Sequence, residues 1–257
     1  MLRSAVAGCG LFLVVGLVWA FYDPLISLND VARLDGRNED PVRVEALLMQ
    51  RGRGATWALR QGLTSGNAEV RLRSAGLLAL MGEEGAQPPL LEALARGDEG
   101  GLAVLAERLL LATWDARNGP EDPQLVRDLR RMANPNLLDG DTRRELDLLL
   151  TLHPYWVGGF VARGRYHFHR GNYQLASKDL LDALLLEPQQ FEAVAMLGRC
   201  FLHLGYADGA ASCLEQALRI NPRLRSDLDA DLQTARKEAA ADREELMRQR
   251  RLDRPLG

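Results

Sequence analysis

Short blocks of leucine and alanine, separated by glycine and proline, recur along most of the chain. In the last block Leu228, Leu232, Ala235 and Ala239 are three or four residues apart, a spacing that places all four on one face of a helix. Extended runs of β-branched residues, which favour strands, are nearly absent beyond the N-terminus. The pattern therefore predicts an all-α protein built from successive helices.

The most regular stretch is 155–222, where two copies of a 34-residue unit follow one another. Pro154, Pro188 and Pro222 are each 34 residues apart, and proline ends a helix. Five further pairs recur in phase: Gly164 and Gly198, Gly171 and Gly205, Ala176 and Ala210, Leu180 and Leu214, and Ala183 and Ala217. A period of this length indicates stacked helix–turn–helix units. We expect the first glycine of each unit to let its two helices cross closely, and the second to form the turn.

These recurring residues resemble the tetratricopeptide repeat over about 70 residues. The resemblance implies a right-handed α–α superhelix with a concave groove that takes a peptide segment of a partner protein. The groove residues implied in this way are Arg165, Phe168, His169, Met196, Arg199, Leu202 and His203, with Val161, Ala162 and Ala195 beside them. Two arginines next to apolar residues would suit an acidic, partly apolar segment, since guanidinium groups bind carboxylates. The alternative, that both arginines are simply solvated, stays open.

A looser pattern over 41–120 precedes these units. Paired leucines occur in three blocks, spaced by 30 and 32 residues: 45–48, 75–78 and 107–110. The stretch 67–98 resembles a HEAT-like repeat of the kind first seen in phycobilin lyases, and Pro88 and Pro89 fit the first turn of its second helix. Because such repeats serve many unrelated proteins, lyase activity does not follow. The fold expected is thus a helical-repeat solenoid, HEAT-like over 41–120 and then tetratricopeptide-like.

Two further segments connect and end the repeats. Residues 121–154 are predicted to form a degenerate unit of the 34-residue type, with helices over 125–133 and 141–152. Residues 223–257 are predicted to contain a charged capping helix, from 226 to about 251, followed by a tail. Such a terminal helix buries one face and leaves the other in water.

The N-terminal segment 1–22 contains an uncharged run over 5–22, preceded by Arg3. A helix of that length is roughly 27 Å long, close to the thickness of the hydrocarbon core of a membrane. Two interpretations stay open: one transmembrane anchor helix, or a signal peptide cut after Ala20. In both, the polar segment 23–40 is a tether and the helices are exported. We expect a single-pass protein of the bacterial inner membrane with its soluble part in the periplasm.

Composition and motifs narrow the chemistry. The net charge of −3 shows no basic bias, so we expect no nucleic-acid partner. No Gly-x-Ser-x-Gly elbow, phosphate-binding glycine loop or HExxH motif occurs. His167 and His169 are two residues apart, so they would point to different sides of a helix. We therefore predict no catalytic residue, no metal site, no cofactor and no enzymatic activity.

The chain has three cysteines, Cys9, Cys200 and Cys213, and no CxxC motif. Cys200 and Cys213 should lie on the two helices of one repeat. Two interpretations stay open for them: a disulfide in an oxidising compartment, or two small side chains buried in the core.

These features predict a membrane-anchored helical-repeat adaptor that holds a protein partner in its concave face. The alternative is a structural accessory subunit of a membrane complex. In that case the helix over 5–22 packs against other transmembrane helices, with Gly8, Gly10 and Gly16 as points of close approach. An enzyme of unrecognised type is a third class, and a lyase would show itself through a coloured bilin-like ligand.

Overall fold

The computed structural model describes residues 28–37, 39–83, 85–97, 101–122 and 140–252. In these ranges the protein is all-α, 80% helical and without strands, which confirms the predicted class. Twelve helices are described, and one of them is the short segment 28–32. The described residues form two compact units, the first within 1–93 and 99–110 and the second within 94–98 and 111–257.

The predicted membrane segment and one predicted bridge helix are not among the described residues. The first covers 5–22 and the second 125–133. In the part of the chain that the structure describes, no helix is both long enough and apolar enough to cross a membrane. Both assignments stay predictions.

Five helices precede the 34-residue units: α1 (Pro41–Arg51), α2 (Arg53–Gly62), α3 (Ala68–Leu80), α4 (Pro88–Arg96) and α5 (Leu102–Ala116). Two of them begin at capping side chains, which satisfy backbone donors that the first turn leaves unpaired. The Asp40 side chain accepts a hydrogen bond from the Val42 amide at the start of α1, and the Asn67 side chain accepts one from the Glu69 amide at the start of α3. Pro88 begins α4, which confirms the predicted position of this proline.

Residues 28–35, expected in the tether, belong instead to the first unit. They are helical, and Val31 and Leu34 are buried in one apolar cluster with residues of α1, α2 and α3. Asp30 is also buried and forms an ion pair with Arg51 of α1 at 3.2 Å. Two apolar side chains three residues apart are enough to bury one face of a short helix, although the segment is polar overall.

Six helices form most of the second unit: α6 (Gly140–Leu152), α7 (Val157–His169), α8 (Tyr173–Leu186), α9 (Phe191–His203), α10 (Ala207–Ile220) and α11 (Arg225–Leu252). The first helices of the two pairs, α7 and α9, begin 34 residues apart, and so do the second helices, α8 and α10. Gly171 and Gly205 join the helices of each pair with φ of 74° and 79°, a conformation that glycine adopts without strain. The bounds of α6 and α11 agree with the predicted helices within a residue.

The two helices of each pair cross at a glycine. A Cβ atom on Gly164 would lie 3.0 Å from Cγ of Leu180, and one on Gly198 would lie 2.9 Å from Cγ of Leu214. A Cβ atom at these distances would force the leucine to shift, so glycine is what allows the two helices to approach this closely. The predicted role of these glycines in a close crossing is confirmed.

Arg163 joins three helices of the second unit. Its Nε and one terminal nitrogen donate to the two carboxylate oxygens of Asp179 at 3.0 and 2.7 Å, which links α7 to α8. Its other terminal nitrogen donates to Asp147 of α6 at 2.9 Å. Asp179 is buried, so the two hydrogen bonds from Arg163 are needed to stabilise its negative charge.

We expect Gly198→Val to lower the free energy of unfolding by about 1–3 kcal/mol, because the added methyl groups would push Leu214 out of the crossing. The matched control is Ser212→Val on the exposed face of α10, which we expect to stay within about 0.5 kcal/mol of the wild type. Urea denaturation followed by circular dichroism measures both. Equal stability of the two variants would contradict the close crossing.

Candidate functional site

A cavity of about 280 Å³ lies between α7, α9 and the start of α11. Its lining residues are Arg165, Phe168, His169, Glu192, Ala195, Met196, Arg199, Leu224, Asp227 and Leu228. Five of them belong to the seven predicted groove residues: Arg165, Phe168, His169, Met196 and Arg199. These five residues lie together because α7 and α9 occupy equivalent places in two successive helix pairs. The two helices therefore present the same face to the cavity.

The other two predicted groove residues, Leu202 and His203, are not among the lining residues. The ring of His203 stacks on Tyr173 at the start of α8, with centroids 4.2 Å apart and planes 7° from parallel. Phe168 meets both rings edge-on, at 5.7 and 5.5 Å. Leu202 is half-buried against the apolar cluster of α9, α10 and α11. Tyr173, which the sequence analysis did not single out, thus gives His203 a different environment.

The third wall of the cavity comes from the capping helix and the turn before it. Leu224, Asp227 and Leu228 line it, and Leu228 also belongs to the buried face of α11. The leucines and alanines spaced three or four residues apart along α11 predicted a buried face. It did not show which neighbour that face meets, because the 34-residue period ends at Pro222.

The two equivalent arginines have different partners. Nε of Arg199 forms an ion pair with Asp231 of α11 at 2.6 Å, and a terminal nitrogen donates to the carbonyl of Asp227 at 2.8 Å. The described partner of Arg165 is Glu192 on α9, at 3.4 Å, near the limit of a hydrogen bond. Arg199 is therefore committed to holding α11, while Arg165 is held loosely.

The charges around the cavity nearly balance. Glu192 and Asp227 add two carboxylates to the two guanidinium groups of Arg165 and Arg199. The cavity wall partly desolvates the ring of His169 and lowers its pKa, and the neighbouring Arg165 lowers it further. His169 is therefore neutral at neutral pH. The arrangement suits binding of a side chain with a mixed apolar and polar end.

His167 faces away from this cavity, as its spacing from His169 predicts. Its ring is buried, with Nε2 3.9 Å from Asp179, and its Nδ1 is buried without a hydrogen-bond partner in the structure. Burial lowers the pKa of His167 most; Asp179 opposes this, and the positive charge of Arg163 adds to it. The two imidazoles thus have unrelated surroundings, one in the core and one at the cavity.

Cys200 and Cys213 are free thiols in the structure, the first buried and the second half-buried. The sequence left two interpretations open, a disulfide or two side chains in the core. The structure agrees with the second. Burial raises the pKa of Cys200 to about 11, although a hydrogen bond with Ser177 opposes this, and burial also raises the pKa of Cys213. Both thiols are therefore protonated and unreactive at neutral pH.

No protein-family model matches the chain, and no curated protein or solved structure matches it either. Its function is therefore inferred from its own residues. Those residues form a cavity with apolar walls and two arginines. Arg199 is held by an ion pair with α11, and Arg165 is held loosely.

The two arginines should respond differently to truncation. We expect Arg199→Ala to lower the free energy of unfolding by about 1 kcal/mol, because it removes a charged hydrogen bond and a half-exposed ion pair that hold α11. The matched variant Arg165→Ala should cost less than about 0.5 kcal/mol. Urea denaturation, with amide hydrogen exchange of residues 225–235, measures both effects. Equal exchange rates in the two variants would contradict the assignment of Arg199.

The stability of the second unit should depend on pH through His167. Because the pKa of His167 is lowered in the folded state, the unfolded chain, with a pKa of about 6.5, binds the proton more readily. The resulting stability is present above about pH 6.5 and is lost as the pH falls from there towards the folded pKa. We expect His167→Gln to lose less stability than the wild type between pH 7.5 and 5.5. Identical losses in both proteins would show that His167 does not contribute.

Proposed function

We propose that this chain is a helical-repeat adaptor that binds a segment of a partner protein in the cavity between α7, α9 and α11, without chemical turnover. The cavity itself carries the proposal, since it gathers residues from equivalent positions of two successive helix pairs. The resemblance of these pairs to the tetratricopeptide repeat supports it, because that family holds peptides on the same face of its first helices.

The partner segment carries an aliphatic side chain next to one carboxylate. A volume of about 280 Å³ lies just below the range of sites for drug-sized molecules, and suits one or two side chains. Phe168, Met196 and Leu228 offer the apolar walls. Arg165 offers guanidinium donors to a carboxylate. Asp227 would repel a longer acidic run, so a single acidic residue fits best.

The membrane context of the proposal comes from the segment 5–22. As an anchor it would keep the adaptor at the bacterial inner membrane, with the helices in the periplasm. There the adaptor would help to assemble or stabilise a membrane complex. As a signal peptide, the same segment would release the helices as a free periplasmic binding protein.

A photo-crosslinking amino acid at His169, which is exposed and lines the cavity, tests the proposal in the native host. We expect it to cross-link one partner, and mass spectrometry should find an aliphatic residue next to Asp or Glu in the linked peptide. The matched control is the same amino acid at Leu185, which is exposed on α8 and absent from the lining. Ala195→Phe, which fills the cavity, should remove the cross-link at His169.

Charge reversal at Arg165→Glu should weaken capture of the partner about tenfold or more, because it removes a charged hydrogen bond and adds a repulsion. Arg199→Glu is a poor companion for this test, since it would also release α11. Melting curves check that each variant is folded. Undiminished capture by both Ala195→Phe and Arg165→Glu would reject the cavity. If capture then required only the segment 5–22, the accessory-subunit alternative would replace the adaptor.

A further inference from the structure

The first unit carries an apolar stripe on the outer face of α1. Val42, Ala46 and Met49 are spaced by four and three residues, which places them on one side of the helix. All three are exposed, Val42 by 60% and Met49 by 39%. Val44 and Leu48 lie on the opposite side and are buried in the core of the unit. Two opposite faces of α1 are therefore apolar, a pattern typical of a helix that is covered on both sides.

The exposed apolar side chains of the first unit are concentrated at its beginning. In the described part of this unit, the large ones are Leu28, Val42, Met49, Trp57 and Val104. The first three belong to the segment 28–32 and to α1, the helices that follow the predicted membrane segment most closely. The surface that would cover them is therefore expected near that segment.

The length of the connection keeps α1 close to the predicted anchor. Five residues, 23–27, separate the segment 5–22 from Leu28, and they span at most roughly 20 Å even when fully extended. The segment 28–35 packs on α1 through Val31 and Leu34, which adds about 10 Å, the diameter of one helix. An anchor over 5–22 would thus hold α1 beside the membrane surface.

We propose that α1 lies on the surface of the membrane that the segment 5–22 spans, with Val42, Ala46 and Met49 in contact with the acyl chains just below the lipid headgroups. The proposal rests on the anchor in the proposed function and is independent of the cavity. Because the anchor already confines the first unit to the membrane, the stripe has to supply orientation rather than affinity. A short apolar face is enough for that, since its contact with lipid grows with the apolar area that it buries.

The charges of α1 suit a surface that contains anionic lipid. Arg43 is exposed on the flank of the stripe and forms no ion pair with the residues that the structure describes. Its long side chain can place the guanidinium group among lipid phosphates while the stripe contacts the apolar layer. Glu45, the acidic residue within α1, is paired with Arg73 of α3. Its negative charge is therefore compensated within the unit.

The full chain, reconstituted into vesicles of phosphatidylethanolamine and phosphatidylglycerol, tests the contact through a photo-crosslinking amino acid at Ala46. We expect illumination to link this position to lipid, and mass spectrometry should detect the protein with one lipid attached. The matched control is the same amino acid at Glu92, which is exposed on α4 of the same unit and which the proposal leaves in water. Equal lipid attachment at the two positions would overturn the proposal.

Two pairs of substitutions separate the stripe from net charge. Val42→Glu with Met49→Glu should lower lipid attachment at Ala46 about tenfold, because carboxylates do not enter the acyl layer. Gln61→Glu with Thr64→Glu adds the same charge at two exposed positions outside the stripe and should leave attachment unchanged. Circular dichroism checks that both double variants keep their helix content. Equal attachment in the two double variants would contradict a contact through the stripe.

Carbonate extraction of the same vesicles separates a failure of the stripe from a failure of the anchor. Protein that resists extraction while Ala46 links to no lipid overturns the proposal and leaves the anchor standing. Protein that carbonate releases overturns the anchor and the proposal with it. A cross-linked protein dimer in place of the lipid adduct would overturn the proposal and assign the stripe to a second copy of the chain. The cavity is tested separately, by the cross-link at His169.

Discussion

The close crossing of two helices at a glycine is the constraint on which the second unit depends. At Gly164 and again at Gly198, a leucine of the following helix occupies the space where a side chain would lie. This crossing fixes the distance and rotation of the two helices in each pair. The turn glycines then return the chain in the same way twice, so α7 and α9 present equivalent faces. The cavity is a consequence of that equivalence.

Equivalent positions nevertheless acquire different chemistry, because each arginine meets the helix that follows it. Arg165 meets α9, where Glu192 lies at 3.4 Å. Arg199 meets α11, which is a charged capping helix and supplies Asp231 at 2.6 Å. At equivalent positions of the two helix pairs, the guanidinium group of Arg165 is therefore held loosely, whereas that of Arg199 anchors the capping helix.

Much of the fold could be predicted because helix periodicity and the 34-residue spacing are local properties of the sequence. The resemblance to the tetratricopeptide repeat implied seven groove residues, and five of them line the cavity. The 34-residue period could not show the features in which the two helix pairs differ. Arg163 and Asp179 form an ion pair in the first helix pair, α7 and α8, while Leu197 and Cys213 hold the equivalent positions in the second pair, α9 and α10. Replacing a buried ion pair by well-packed apolar side chains is often neutral or stabilising, so both solutions are compatible with the fold. A search for repeated residues cannot detect such an exchange, because the residues at the equivalent positions differ. The burial of Val31 and Leu34 was missed for another reason: they lie in a segment that is polar overall.

The capping helix links the stability of the second unit to the chemistry of the proposed binding cavity. By engaging Arg199, α11 closes the apolar core of the last pair and at the same time pairs one of the two cavity arginines with Asp231. Its Asp227 adds a carboxylate at the same edge. A groove with two free arginines would attract any acidic peptide, largely through long-range attraction that salt screens. With one arginine committed, the proposed partner must instead place an apolar side chain between Phe168, Met196 and Leu228. Specificity then depends on shape and on one carboxylate rather than on net charge.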